Sequence, residues 1–301
     1  MKMDSLSNIV LITGINGFTG KYLKKYFSER NFQVFGISNV VQEKDKNTYP
    51  CDINNLVELT QIIQIIQPDF IIHLAAISFV QHTDIEEMYK VNVLGTQNLL
   101  DACLSIKSKI KKIILASSAT VYGNQNTEVL YEELAPNPNN HYGISKWAME
   151  QVAKNYFQDL PIIITRPFNY TAPGQEKNFI IPKIAQAFTE KRPIIELGNI
   201  DVYREYNSIE FVCNCYYQLL IIEKKSEIVN ICSGKTYSIR EILQKFTEIT
   251  NHSIEVKINP EFVRKNEIFR LSGDPKKLNS IINDHKNNFL EEIVNDFINI
   301  L

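Results

Sequence analysis

No run of this chain is apolar for long enough to cross a bilayer. Met1 to Asn8 is short and polar, and Ile9–Ile12 is too brief for a signal core or a membrane span. The expectation is a soluble, cytoplasmic protein with no membrane partner. Charge of one sign is also missing: 32 basic residues stand against 34 acidic ones, a formal net charge of -2. Such a balance gives no global field to gather nucleic acid, so an anionic ligand has to be met by locally placed cations. Cysteine is sparse, and Cys51, Cys103, Cys213, Cys215 and Cys232 have neither the spacing of a disulfide framework nor that of a zinc site. In a helix, Cys213 and Cys215 diverge by about 200°. His73, His82, His141, His252 and His285 form no ligand-spaced cluster, so no metal is expected. Repeats and low-complexity tracts are absent.

What is present suits one large α/β domain or two lobes sharing a sheet: 301 residues, 44% of them hydrophobic and 22% charged. Ile9–Ile12 has the composition of a buried parallel strand and runs into Thr13-Gly14-Ile15-Asn16-Gly17-Phe18-Thr19-Gly20 before an amphipathic stretch through Arg30. Strand, glycine turn and helix in that order suit a dinucleotide. Gly14 supplies the tight turn, Gly17 lets backbone approach a pyrophosphate at the helix N-terminus, and Gly20 lets helix pack on strand. The next strand, Gln33–Ser38, ends without the acidic residue that would grip the ribose hydroxyls of NAD. Lys44 and Lys46 follow, where a 2′-phosphate would be met, although a solvated loop is the better account of either one. The expected cofactor is NADPH or NADH, with the lean toward NADPH.

Asp52 falls just past a strand end, where capping the following helix (Leu56–Ile66) and meeting the adenine amine are compatible roles. Phe70–Leu74 is the next strand, and Ala75-Ala76 are small enough for backbone to lie against a cofactor. Ile85–Ser105 has the pattern of one long helix, with Asn92 on an otherwise apolar face and in need of a hydrogen-bonding partner. After Lys112–Ala116 comes Ser117-Ser118-Ala119-Thr120-Val121-Tyr122-Gly123, leaving the C-terminal end of a strand. A polar loop containing Pro136 and Pro138 then leads, with Asn139 or Asn140 as cap, into the helix that carries Tyr142-Gly143-Ile144-Ser145-Lys146.

On that helix the Tyr142 phenol and the Lys146 ammonium stand one turn apart on one face. A cation within a few ångströms lowers a phenol's pKa by roughly 1–3 pH units, toward acid/base work near neutrality. The same spacing also occurs on plain exposed helix faces, and the case rests on convergence with Ser118 and the glycine turn. Hydride transfer at a carbonyl or carbinol fits the set: Tyr142 moves the hydroxyl proton, Lys146 tunes it, and Ser118 hydrogen-bonds the substrate oxygen. A nucleophilic serine is disfavoured, because no Gly-x-Ser-x-Gly elbow surrounds Ser118. Beyond Ile162–Thr165 and Arg166-Pro167-Phe168-Asn169 the α/β alternation loosens, through a helix at Lys183–Glu190. Residues 1–167 are expected to form a dinucleotide-binding Rossmann domain and 168–301 mainly a smaller substrate lobe, with part of 205–232 returning to the first. Arg204 and Arg264 are candidates for a diphosphate clamp.

These residues together resemble the extended short-chain dehydrogenase/reductase family acting on nucleotide sugars. The motifs are Thr13-Gly14-x-x-Gly17-Phe18-x-Gly20, Asp52-Ile53, His73-Leu74-Ala75-Ala76, Asn92, Ser117-Ser118, Tyr142-x-x-x-Lys146 and Arg166-Pro167-Phe168-Asn169. The resemblance implies a doubly wound parallel sheet. It implies a catalytic Ser118, Tyr142 and Lys146, and a cofactor held by Gly14, Asn16, Gly17, Phe18, Asp52, Ile53, Leu74, Ala75, Ala76, Asn92, Tyr142 and Lys146. It implies substrate contacts at Ser78, Ser118, Asn169, Arg204 and Arg264. Asn169 to Gln175, Asn230 to Gly234 with Ser238 to Glu241, and Ser272 to Leu278 look like the GDP-4-keto-6-deoxy-D-mannose reductase subgroup.

The implied reaction is hydride delivery to C4 of a GDP-, dTDP- or CDP-linked 4-keto-6-deoxyhexose, in the making of surface-polysaccharide precursors, by a homodimer. Glu205, Ser208, Phe211 and Lys265 depart from the subgroup's usual residues and leave nucleotide and sugar open. A 4,6-dehydratase is disfavoured because Ala119-Thr120 stands where those relatives carry Asp-Glu. A 4-epimerase is the alternative, since the same Ser, Tyr and Lys serve it with tightly held NAD.

Overall fold

A computed structural model describes residues 8–40, 45–78, 83–224, 226–263, 268–282 and 290–299. The chain opens with β1 (Ile9–Thr13), α1 (Phe18–Ser28), β2 (Gln33–Ser38), β3 (Thr48–Pro50), α2 (Leu56–Ile66) and β4 (Phe70–His73). Then come α3 (Ile85–Tyr89), a π-helical turn (Lys90–Leu94), α4 (Gly95–Leu104), β5 (Lys112–Ala116), β6 (Val129–Leu130), α5 (His141–Lys154) and β7 (Ile162–Pro167). The remainder holds β8 (Tyr170–Thr171), α6 (Ile180–Thr189), β9 (Ile194–Leu197), β10 (Tyr203–Glu205), β11 (Asn207–Ser208), α7 (Ile209–Ile221) and β12 (Glu227–Ile231). It ends in β13 (Thr236–Ser238), α8 (Ile239–Thr250), β14 (Glu255–Ile258), β15 (Arg270–Gly273), α9 (Lys276–Ile281) and α10 (Leu290–Ile298).

Two compact units result, one made of residues up to 123 with 134–166 and 215–229, the other of 124–133, 167–214 and 230 onward. The first holds a seven-stranded sheet in the order β12-β7-β5-β4-β1-β2-β3, with the pairings from β7 to β3 all parallel. Strands buried on both faces need continuous apolar runs, and β1, β4 and β5 have them. Register aligns Thr13 with His73 and with Ile37, and His73 with Leu115, so the C-terminal strand ends emerge together. In such a sheet that edge, where strand order reverses beside β1, is where ligands bind. One face is sealed by Leu59, Ile63, Leu99, Cys103, Met149 and Ala153 from α2, α4 and α5.

The second unit packs α6, α8 and α10 through Ile184, Phe188, Ile242, Phe246, Ile293 and Val294, with Phe188 stacked on Phe246 at 5.2 Å. Its four-stranded sheet runs β13-β10-β15-β6. Thus the polar loop before Pro136 contains a strand, β6, which pairs in parallel with β15; two residues are too few for a visible alternation.

Two other expectations are corrected. Ile85–Ser105 is helical throughout but not one regular α-helix, because five residues around Asn92 wind as a π turn. The cap of α2 is Asn55, whose side chain accepts from Glu58 N–H at 3.3 Å, while Asp52 closes a tighter turn onto Asn54 N–H at 2.9 Å. Among the described residues, no helix is long and apolar enough to cross a membrane.

Candidate active site

The glycine turn is built by backbone crowding. Gly14 sits at φ +69°, its N–H donates to Ile37 carbonyl at 2.8 Å, and its carbonyl accepts from Gly17 N–H at 3.0 Å. A Cβ on Gly14 would lie 2.9 Å from Ala75 N, and one on Gly20 would lie 2.6 Å from Ile15 Cα. Gly17 is exposed and near only the Gly14 carbonyl, and as N-cap of α1 it brings no side chain to cover the first N–H groups. This fits a pyrophosphate approaching a helix N-terminus whose cap residue carries no side chain. Asn16 donates to Val40 carbonyl at 2.6 Å and ties the turn to the loop after β2. Phe18 packs edge-on to Tyr22. Ile53 is buried against Gly95, where a Cβ would come within 2.5 Å of it, and Asp52 is exposed on the same stretch.

A buried chain of hydrogen bonds links that turn to the other candidates. Thr13 Oγ1 accepts from Leu74 N–H (3.2 Å) and Ala75 N–H (3.1 Å), leaving its own proton for His73 Nδ1 at 2.7 Å. His73 Nε2 then donates to Thr96 Oγ1 (2.9 Å), which donates to Asn92 carbonyl (2.8 Å). Complete burial pulls the His73 pKa down to about 3, with the Lys146 charge adding to the effect, so the ring is neutral as the chain of donors requires. Asn92 finds its partners here: it accepts from Ile77 N–H (2.8 Å) and donates to Ile77 carbonyl (3.0 Å) and Ser145 Oγ (3.0 Å). Ser145 Oγ donates in turn to Tyr142 carbonyl (2.8 Å). Asn92 therefore holds the loop between Ala76 and the exposed Ser78 to the helix of Tyr142 and Lys146.

Asn140 caps that helix by accepting from Gly143 N–H at 2.8 Å. Gly143 lies against the Thr120 carbonyl, which a Cβ there would meet at 2.8 Å, so α5 abuts the 3-10 turn Ala119–Tyr122 that Ser118 begins. Lys146 is 4% exposed and donates to the Ala116 carbonyl at 2.7 Å. Burial pulls its pKa down to about 8, and the Glu150 charge opposes that fall. Ser118 Oγ accepts from Thr120 N–H (3.2 Å) and Thr120 Oγ1 (2.9 Å). With both lone pairs engaged, what Ser118 has to offer a ligand is its proton.

Arg204 and Asn169 belong to the second unit. Arg204 is half-buried, donating to Tyr203 carbonyl at 2.7 Å, and exposed Asn169 accepts through its carbonyl from Asn207 N–H at 2.9 Å. Arg264, Lys265 and Lys44 lie outside the described residues, as do His82 and His285. Three of the residues that set this chain apart from its subgroup have work inside the fold. Glu205 is 1% exposed and accepts from Gly273 N–H (2.6 Å), Ser233 N–H (2.9 Å) and Asn207 Nδ2 (3.1 Å), while burial raises its pKa. Ser208 accepts from Phe211 N–H at 3.1 Å, and the Phe211 side chain is buried.

A doubly wound sheet with a glycine turn at the head of α1, and a Tyr-x-x-x-Lys helix packed against a serine loop, defines an extended short-chain dehydrogenase/reductase. Within that class the chain belongs to the family described as GDP-mannose 4,6 dehydratase, which matches residues 11–297. It is 39% identical over 279 residues to a GDP-6-deoxy-D-talose 4-dehydrogenase of Aggregatibacter actinomycetemcomitans, covering 92% of each chain. It is 29% identical over 280 residues to the GDP-6-deoxy-D-mannose reductase of Pseudomonas aeruginosa, covering 89% of each. The solved structure of RMD from Pseudomonas aeruginosa, complexed with NADPH, superposes with a TM-score of 0.85 at 25% identity over 98% of this chain and 97% of that one. UDP-sugar epimerases also share the fold, at 21–24% identity.

Proposed function

We propose that this protein reduces the C4 ketone of a GDP-linked 4-keto-6-deoxyhexose, with NADPH preferred over NADH. The observation that carries the reading is the Ser118 hydroxyl, which accepts from both Thr120 N–H and Thr120 Oγ1 and so has its proton to offer a ligand. A ketone oxygen accepts such a bond, and the bond strengthens as the oxygen becomes an alkoxide. In the dehydratases of this family the place of Thr120 is acidic; here it orients Ser118. Both named relatives act on GDP-6-deoxyhexoses, which favours GDP over dTDP or CDP.

The cofactor would lie with its pyrophosphate at Gly14 and Gly17 on the α1 N-terminus, beside Leu74, Ala75 and Ala76. Bound there, a reduced nicotinamide supplies a hydride. The chain's own residues do the rest. Tyr142 gives its phenolic proton to the C4 oxygen, Lys146 as a cation stabilises the phenolate left behind, and Ser118 fixes the oxygen. Asp52 and Ile53 are assigned to the adenine edge, and Ser78, Asn169, Arg204 and Arg264 to the sugar nucleotide. Ser38, buried at the end of β2, carries no charge to repel a 2′-phosphate, which supports NADPH. A homodimer through the helical stretch Ile85–Ser105 and α5 is proposed on the resemblance, with a groove on that stretch lined by Glu86, Tyr89, Lys90, Val93, Leu94 and Ala148.

The test is loss of reduced-nicotinamide absorbance with GDP-4-keto-6-deoxy-D-mannose and its dTDP and CDP counterparts, under NADPH and NADH in parallel, with the product resolved as the talo or the manno epimer. Stoichiometric oxidation with the GDP sugar is expected, and Tyr142→Phe should remove nearly all of it while cofactor still binds. No oxidation with any sugar, together with NAD retained through purification, would move the assignment to a 4-epimerase.

A further inference from the structure

Behind the candidate triad lies a second set of buried polar groups that the hydride-transfer reading leaves unused. Glu150 stands one turn beyond Lys146 on α5 and is fully buried. Its Oε1 accepts from Ser117 Oγ at 2.6 Å and from Arg166 Nε at 2.9 Å, and its Oε2 accepts from Arg166 Nη2 at 2.6 Å. Arg166, 2% exposed at the end of β7, lies over the Tyr122 ring with its guanidinium carbon 4.8 Å from the centroid. Burial works against the Arg166 charge, but the bonds and charge of Glu150 outweigh it and raise its pKa. Burying such an ion pair contributes little net stability, which leaves its place beside the triad to be explained by something other than folding energy.

The geometry supplies the explanation. Two successive turns of α5 grip two successive residues leaving β5: Lys146 donates to the Ala116 carbonyl, and Glu150 accepts from Ser117. A single bond would let the helix pivot on the strand end, whereas two at consecutive residues fix both rise and rotation. Ser118 is the next residue. We propose that Glu150 is a positioning residue: braced by Arg166, its carboxylate fixes Ser118 against the Tyr142–Lys146 helix and sets a negative charge one turn along α5 from the Lys146 ammonium.

The other groups set around Lys146 do not supply that charge. His73 on β4 is neutral, the β5 end presents only the Ala116 carbonyl, Arg166 on β7 is a cation, and Tyr122 and Tyr142 are phenols. Removing the Glu150 charge therefore leaves nothing among these groups to oppose the desolvation of Lys146.

The inference rests on the reductase reading for its kinetic arm only. In Glu150→Gln, shape and one acceptor oxygen remain. The Lys146 titration, followed without substrate by the Cε resonance of 13C-lysine-labelled protein and assigned with Lys146→Arg, should move down by about one pH unit or more. The alkaline limb of kcat should move with it, with kcat at least tenfold lower and KM for NADPH within twofold. A residue that only stabilises the fold would lower Tm and move neither titration; the same Lys146 midpoint in both proteins overturns the proposal. Should Glu150→Gln fail to fold, Ser117→Ala decides. It keeps the charge and loses the grip, so kcat should fall about fivefold with the Lys146 midpoint unchanged, and wild-type kcat would refute the positioning role. An inactive wild type with every sugar nucleotide would sink the substrate reading and leave the resonance arm standing.

Discussion

Gly143→Ala gives a sharp test of how the candidate site is held. Gly143 lies between Tyr142 and Lys146, and a Cβ there would fall 2.8 Å from the Thr120 carbonyl oxygen and 3.0 Å from Pro138 Cβ. Reaching an ordinary contact requires α5 to back away from the turn after Ser118 by about 0.6 Å. The turn has little room to yield, because Val121 carbonyl is tied to Asn137 N–H at 3.0 Å. Overpacking of this kind costs about 1–3 kcal/mol, and alanine's better helix propensity returns about 1. A net loss of about 0–2 kcal/mol lowers Tm by no more than about 5 °C in a chain this long. The kinetic loss should be larger than the thermal one. A displacement of 1 Å between reacting groups costs about 100-fold, so this one should lower kcat about tenfold. Steady-state kinetics beside a thermal melt would check both. Wild-type kcat in a folded Gly143→Ala protein would refute the reasoning that the fit of α5 against the turn after Ser118 sets the rate.

Gly20→Ala places a Cβ 2.6 Å from Ile15 Cα, where only backbone can yield. It should cost about 2–3 kcal/mol in a urea titration and weaken NADPH binding by fluorescence. His73, its pKa lowered by burial, contributes stability that is complete above the unfolded value of 6.5 and is lost as pH falls toward about 3. Between pH 7 and pH 5 that loss is about 2 kcal/mol. His73→Gln should remove this part of the slope; an identical slope in both proteins would show the ring is not held neutral.

The sheet and the glycine turn are legible because they depend on local patterns: apolar runs such as Ile9–Ile12, and glycines whose crowding follows from strand-to-helix geometry. Tyr142 and Lys146 are legible for the same reason, since helical spacing alone sets them on one face. The Ser117–Glu150–Arg166 arrangement is not legible. Its members come from β5, α5 and β7, and a Glu four residues past a Lys looks on paper like a solvated helix pair. The π turn is hidden because the apolar pattern of Ile85–Ser105 continues through it, and only the buried Asn92, an expected seeker of a partner, points to it. Glu205 had the look of a specificity change and proves to be a backbone acceptor, because burial is a property of the packed unit and not of the residue's neighbours in sequence.

Glu205 and Glu150 together bear on what sets specificity. Each unit buries one carboxylate within a few residues of a candidate binding group, Glu205 beside Arg204 and Glu150 one turn from Lys146, and each fills its oxygens with donors from its own unit. A carboxylate satisfied in this way is not available to a ligand, and it anchors the backbone of the element that carries the neighbouring cation. The Asp-to-Glu change at 205 therefore acts inside the fold, on the strand β10 that also carries Arg204, and not as a direct contact to sugar or base. Glu205→Asp shortens the side chain by one methylene, which cannot serve the Gly273 and Ser233 N–H groups at their present separation. It should lower the affinity for the GDP sugar through Arg204, raising KM several-fold while the KM for NADPH and the pH limbs of kcat stay where they are. An unchanged sugar KM would mean that Arg204 is held independently of Glu205, and would return the departure at 205 to an unexplained substitution.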